Sequence, residues 1–133
     1  MKRKEPYATP EEFDQRVIHY RDIPSVELVP DIKAHILSSG RMTAIFTVMP
    51  PNSAVPRHQH EHEQIMIITE GECDQIIDDR LYHLKEGNVV ICAPNQPHGT
   101  YVSNKGCRTI EFFAPRRQEY MDRLEAAKKN LGK

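Results

Sequence analysis

The sequence predicts an all-β domain, a closed antiparallel barrel or jelly roll, with one short helix at the C-terminal end. Three observations carry that prediction. Short apolar stretches rich in Ile, Val, Phe, Tyr and Thr recur every eight to twelve residues from about residue 26. Turn residues separate them, and four of the six glycines (Gly40, Gly71, Gly87, Gly106) stand at those breaks. A helical apolar period is seen only at the end of the chain.

Taken in order, residues 1–16 are polar and contain Pro6 and Pro10. Thr9-Pro10-Glu11-Glu12 has the form of a helix start, with Thr9 as N-cap and Pro10 in the first turn. Strand-length stretches follow at 32–37, 42–49, 64–69, 72–77, 81–84, 88–92, 98–103 and 107–114. Ser39-Gly40, Glu70-Gly71, Asp78-Asp79, Glu86-Gly87-Asn88 and Asn104-Lys105-Gly106 are read as the turns between strands. From Arg116, Tyr120, Leu124, Ala127 and Leu131 recur three or four residues apart, one apolar helical stripe. The expected organisation is an N-terminal arm over 1–25, a barrel over 26–115 and a helix over 116–133.

Two stretches are apolar on both faces: Met66 and Ile68 oppose Ile65 and Ile67, and Ile110 and Phe112 oppose Phe113. A half-solvated antiparallel strand should alternate, so the second face needs a cover. The N-terminal segment, the final helix or a second subunit would serve, and a homodimer is the expected arrangement.

Composition excludes several classes. The 18 Lys and Arg nearly balance 19 Asp and Glu, for a net charge of -1, which is not the footprint of a nucleic-acid binder. The longest apolar run, Val89 to Ala93, is far too short to span a membrane. Lys2-Arg3-Lys4 is followed by Glu5-Pro6-Tyr7 rather than the apolar core of a signal peptide. The three Cys are widely spaced and odd in number, which fits reduced thiols and a cytoplasmic protein.

The seven His are the unusual feature, and five of them (His58, His60, His62, His83, His98) fall within 58–98. Imidazoles at i and i+2 of an extended chain project from one face, so His58 and His60 are spaced as neighbouring metal ligands. Gln64 shares their parity, and His98 starts a later strand after the rigid Pro94-Asn95-Gln96-Pro97 loop, from which a barrel would return it to the same ion. Nitrogen ligands with one oxygen suit Fe, Ni, Zn, Mn or Cu. His62 and Glu63 are read as rim residues, and His19, His35 and His83 as ordinary histidines.

Over roughly residues 26–115 the chain resembles the cupin superfamily. That family's first motif, Gly-x5-His-x-His-x3,4-Glu-x6-Gly, has its counterpart in His58-x-His60-x3-Gln64-x6-Gly71. The second, from a Gly through a Pro-rich turn to a His, is matched by Gly87 through Pro94-Asn95-Gln96-Pro97 to His98. The resemblance implies the cupin double-stranded β-helix and one divalent transition metal held by His58, His60, Gln64 and His98. The opening Gly of the first motif is missing, and Gln64 replaces its Glu. A neutral amide in place of a carboxylate leaves more of the ion's charge uncompensated, which favours anionic substrates and Lewis-acid chemistry over oxygen activation.

The string His-x-His-x-His-Glu-Gln is similar to the small single-domain cupins typified by the pectin-degradation protein, a group that opens the rings of unsaturated uronates. That group carries an acidic residue, then Phe two positions on and Arg six positions on, near the end of the barrel. Glu111, Phe113 and Arg117 match the spacing, with Glu where the group has Asp. The resemblance implies a metal-dependent lyase or isomerase acting on a sugar acid or related polar carbonyl compound. In it Glu111 would move a proton, Arg117 would pair with the substrate carboxylate and Phe113 would pack on the ring. The alternatives are an iron-dependent dioxygenase and a non-catalytic metal- or sugar-binding cupin. The expected partner is a small anionic molecule, with neither nucleic acid nor membrane.

Overall fold

A computed structural model describes residues 2–131. The chain runs through α1 (Pro10–Arg16), a 3-10 turn (Tyr20–Asp22) and eight strands. These are β1 (Val26–Val29), β2 (Ile32–Ser38), β3 (Thr43–Met49), β4 (Ala54–His58), β5 (Glu63–Ile77), β6 (Arg80–Lys85), β7 (Val89–Cys92) and β8 (His98–Ala114), and α2 (Gln118–Leu131) follows. Residues 132 and 133, the last of the expected helical segment, lie outside the described residues, as does Met1.

All pairings are antiparallel, in the order β1-β2-β3-β8-β5-β6, with β4 on β8 and β7 on β5. β5 and β8, of 15 and 17 residues, are long enough to serve both sheets of the jelly roll. The first half of β5 pairs with the second half of β8, and the second half of β5 with the first half of β8. Each strand therefore bends at its middle, at Gly71 and Gly106, with φ of 79° and 78°. This corrects the sequence reading: Glu70-Gly71 and Asn104-Lys105-Gly106 are not turns between strands but corners within them. A left-handed residue is needed in either case, so the glycines look the same in sequence.

Two strands escape the sequence reading. β1 is only four residues and joins β2 through Pro30-Asp31, with Asp31 at φ 70°. β4 contains Pro56, which is tolerated because β4 pairs on one side only, with β8. At the N-terminus, Thr9 caps α1 in a reciprocal capping box with Glu12.

The interior is filled from alternating positions. One cluster, formed by Ile32, Met49, Met66, Ile68, Cys73, Leu84, Val102 and Cys107, closes the corner end of the barrel. The other joins Val26, Ala34, Ile36, Ile45 and Phe113 to Leu124 of α2. Helix α2 thus covers the inner face of β1–β3 with Tyr120, Leu124 and Ala127 of the expected stripe. Leu131 departs from it and is 72% exposed. On the outer face Tyr20 stacks on Phe46 at 4.4 Å. Ile65, Val89 and Ile91 lie side by side on that face and stay 38%, 56% and 64% exposed.

Candidate metal and acid-binding site

Three histidines converge where β4 ends and β8 begins. His58 and His98 are register partners on those strands, and His60 stands in the short link to β5. Their ligand nitrogens all lie within 4.8 Å of one another. Each ring is fixed from behind by a main-chain carbonyl: His58 Nδ1 donates to Pro56 O at 2.8 Å, His60 Nδ1 to His62 O at 2.9 Å and His98 Nδ1 to Gln96 O at 2.7 Å. A carbonyl can only accept, so each proton sits on Nδ1 and each Nε2 offers a lone pair. His98 Nε2 is buried without any hydrogen-bond partner. An orphaned acceptor in a dry site is costly unless something electropositive occupies the space beside it.

Gln64 supplies a fourth donor atom from the inner face of β5. Its Oε1 lies 3.0 Å from His60 Nε2, two lone-pair atoms face to face. That is the separation of adjacent ligands on one ion, whose bonds to N and O are about 2.1 Å. The residues therefore fit a divalent ion. Burial, then the charge of Arg117, pushes the His60 ring down from 6.5 to about 4, and burial first of all lowers His98 too. Both are neutral imidazoles at physiological pH, as ligation requires.

The other end of the Gln64 amide donates to Glu111 Oε1 at 2.6 Å. Glu111 is buried on the inner face of β8, and Thr109 Oγ1 donates to its Oε2 at 2.6 Å, with Thr47 bonded to Thr109 in turn. Burial raises the Glu111 carboxyl above its ordinary value, and the bonds from Thr109 and Gln64 offset this in part.

These groups face a cavity of about 240 Å³. His58, Gln64, His98, Glu111, Phe113 and Arg117 all line it, so the expected site residues are gathered in one place, with His60 Nε2 facing Gln64 Oε1 beside them. Phe113 is almost fully buried and packs edge-on against His60 and Tyr120. The Arg117 guanidinium stands 3.8 Å from the Tyr120 ring centre and 4.9 Å from that of Phe113. It is bound to Glu119 through Nε at 2.9 Å and also through Nη2.

A sequence model of the cupin domain matches residues 45–113. The chain belongs to the cupin family. It is similar to the pectin degradation protein KdgF of Dickeya dadantii (strain 3937), with 28% identity over 102 residues, 75% of this chain and 93% of the relative. Among solved structures, KdgF from a Halomonas species superposes with a TM-score of 0.70 at 20% identity, over 75% of this chain and 93% of that one. An RmlC-like cupin from Shewanella frigidimarina NCIMB 400 gives 0.69 at 20% identity over 90% and 99%. These superpositions establish the cupin fold.

Within this cupin, sequence reasoning missed Thr47, Thr109, Glu119, Tyr120 and Arg123 as parts of the site. The two threonines alternate with apolar residues on strands β3 and β8, the pattern of an inward polar position. Glu119 and Arg123 are spaced i, i+4 beside the apolar stripe of α2, a signal that they share its cavity edge. Of the remaining histidines, His62 is buried at the rim, His35 Nδ1 donates to Ile23 O and His83 pairs with Asp74 on the surface. No helix of the described residues is long and apolar enough to cross a membrane.

Proposed function

We propose that this cupin is a metal-dependent lyase or isomerase acting on a sugar acid of the unsaturated-uronate kind or a related polar carbonyl compound. The observation that carries the reading is the pairing of a His58–His60–His98–Gln64 donor set with a buried carboxyl, Glu111, bonded directly to one of the donors. A divalent ion held by those four residues would act as a Lewis acid on a substrate oxygen. Glu111, one hydrogen bond from Gln64 and with its proton affinity raised by burial, takes and returns a proton at its carboxyl. Arg117, anchored by Glu119, forms with Arg123 the positive edge of the cavity that takes the acid group, and Phe113 backs the ring. The similarity to a pectin degradation protein supports a uronate.

A neutral Gln in the ligand set supports this reading over an iron-dependent dioxygenase, since it gives less help to an oxidised ion. Three Cys buried as free thiols support a cytoplasmic setting. The exposed Ile65, Val89 and Ile91 face supports a homodimer. Metal uptake by the purified protein, followed by loss of the ultraviolet absorbance of an unsaturated uronate without oxygen consumption, tests the reading. Oxygen uptake with substrate would favour the dioxygenase, and metal binding without turnover of any uronate would favour a binding protein.

A further inference from the structure

Helix α2 lies beyond the residues matched by the cupin domain, yet it builds one wall of the cavity with Arg117's neighbours Glu119, Tyr120 and Arg123. The charges on that wall do not cancel. Arg117 and Arg123 contribute two positive charges and Glu119 one negative, and Glu119 is taken by Arg117 through two nitrogens. Arg123 forms no ion pair among the described residues. Its Nη1 donates to the main-chain oxygen of Leu28 at 2.7 Å, and Leu28 itself lines the cavity. That bond pins the long side chain against β1 at the cavity edge and removes much of the entropic cost of ordering it for a ligand. The other N–H groups of the planar fork are left over, and a guanidinium fork matches a carboxylate.

We propose that Arg123 is the primary anion-binding residue of the cavity and that the ligand is a monoanionic acid. Its carboxylate meets Arg123 at the α2 edge, while its polar carbonyl or hydroxyl end reaches Gln64 and the histidines. Arg117 then serves as the fixed base of this edge, its charge already matched by Glu119. The inference rests on the acid-binding reading above and names the residue that enforces it.

The test measures binding of D-galacturonate, and of neutral D-galactose, to the metal-free protein at low salt by calorimetry or by shifts in its NMR spectrum. The acid should bind more tightly than the neutral sugar. Arg123→Gln should weaken galacturonate about threefold to fivefold, the size of a partly exposed ion pair, and leave galactose unchanged. Arg123→Lys should keep most of the preference, and high salt should erase it. The inference is overturned if Arg123→Gln binds galacturonate as the unaltered protein does, or if the unaltered protein shows no preference for the acid. Failure to take up a divalent ion would sink the metal reading and leave this result standing. The converse also holds, because the binding experiment contains no metal.

Discussion

The side-chain amide of Gln64 donates to Glu111 across 2.6 Å while its carbonyl oxygen lies 3.0 Å from His60 Nε2, so one neutral residue bridges the three-histidine cluster and a buried acid. A carboxylate at position 64 would confront Glu111 directly. Two carboxyls at such a distance cannot both ionise, and one must take a proton or move away. Gln64→Glu should therefore lower the stability of the metal-free protein by about 1–3 kcal/mol near neutral pH, and added divalent ion should restore most of it. Denaturant melts with chelator and with ion measure this. An unshifted midpoint in chelator would mean that the bridge carries no energetic weight.

Glu111 is expected to trade stability for chemistry. Its carboxyl is raised by burial, so folding favours the protonated form; that contribution is complete at low pH and is lost as pH rises through the raised value. Glu111→Gln mimics the protonated form. The metal-free variant should gain stability relative to the unaltered protein as pH climbs above the ordinary Glu range, while uronate turnover falls at least ~100-fold, the scale of a general acid–base contribution. Metal content should be unchanged. Retained turnover would remove Glu111 from the mechanism.

The histidines give a second pH signature of opposite sense. The His60 ring is held down from 6.5 to about 4 by burial and then by the Arg117 charge. Above pH 6.5 the folded and unfolded chains are both neutral there. Between about 6.5 and 4 only the unfolded chain takes the proton, so the metal-free protein should lose stability over that window. His60→Ala should flatten the slope. Urea midpoints recorded across the window decide it, since an equally steep slope in the variant would place the titrating group elsewhere.

Phe113 sits at the meeting of scaffold and site. It is 1% exposed, belongs to the cluster that docks α2, and also lines the cavity. Phe113→Ala should cost about 3–5 kcal/mol through lost burial and the void left behind. Phe113→Leu keeps most of the volume, so it should fold and raise KM more than it lowers kcat if the ring backs the substrate. Unchanged KM in the folded Leu variant would make Phe113 purely structural.

Much of the site was legible because ligand spacing and strand parity are properties of an extended chain. The close spacing of His58, His60 and Gln64 marks them as one ligand group even though His60 falls in the link between β4 and β5, and a Glu between Ile110 and Phe112 is conspicuous once its face is interior. The threonines that hold Glu111 were not legible, since an inward Thr and a solvated Thr look alike until the partner strand is known. Nor was Arg123, because a helix is read by its apolar stripe and this residue acts from the stripe's edge. In the fold, β4 was hidden by Pro56 and its polar neighbours. The corners of β5 and β8 were hidden because Gly71 and Gly106 carry the same left-handed signature as Gly87 in the turn between β6 and β7, at φ 88°.

That last ambiguity has a measurable resolution. Gly71 and Gly87 both sit at positive φ, so an alanine at either position should cost roughly 1–2 kcal/mol from backbone conformation alone. Their surroundings differ. A Cβ on Gly71 would lie 2.0 Å from the main-chain oxygen of Gly106, the corner of the neighbouring strand, whereas one on Gly87 meets nothing within 4 Å. Backbone cannot step aside as a flexible side chain can, so Gly71→Ala must separate β5 from β8 at the corner where the two sheets join. Gly71→Ala should thus be the more destabilising by at least another ~2 kcal/mol, in the range reserved for severe core disruption. Urea unfolding of the two variants side by side checks it. Equal costs would show that the two corners are not in contact and that Gly71 is there for its φ alone.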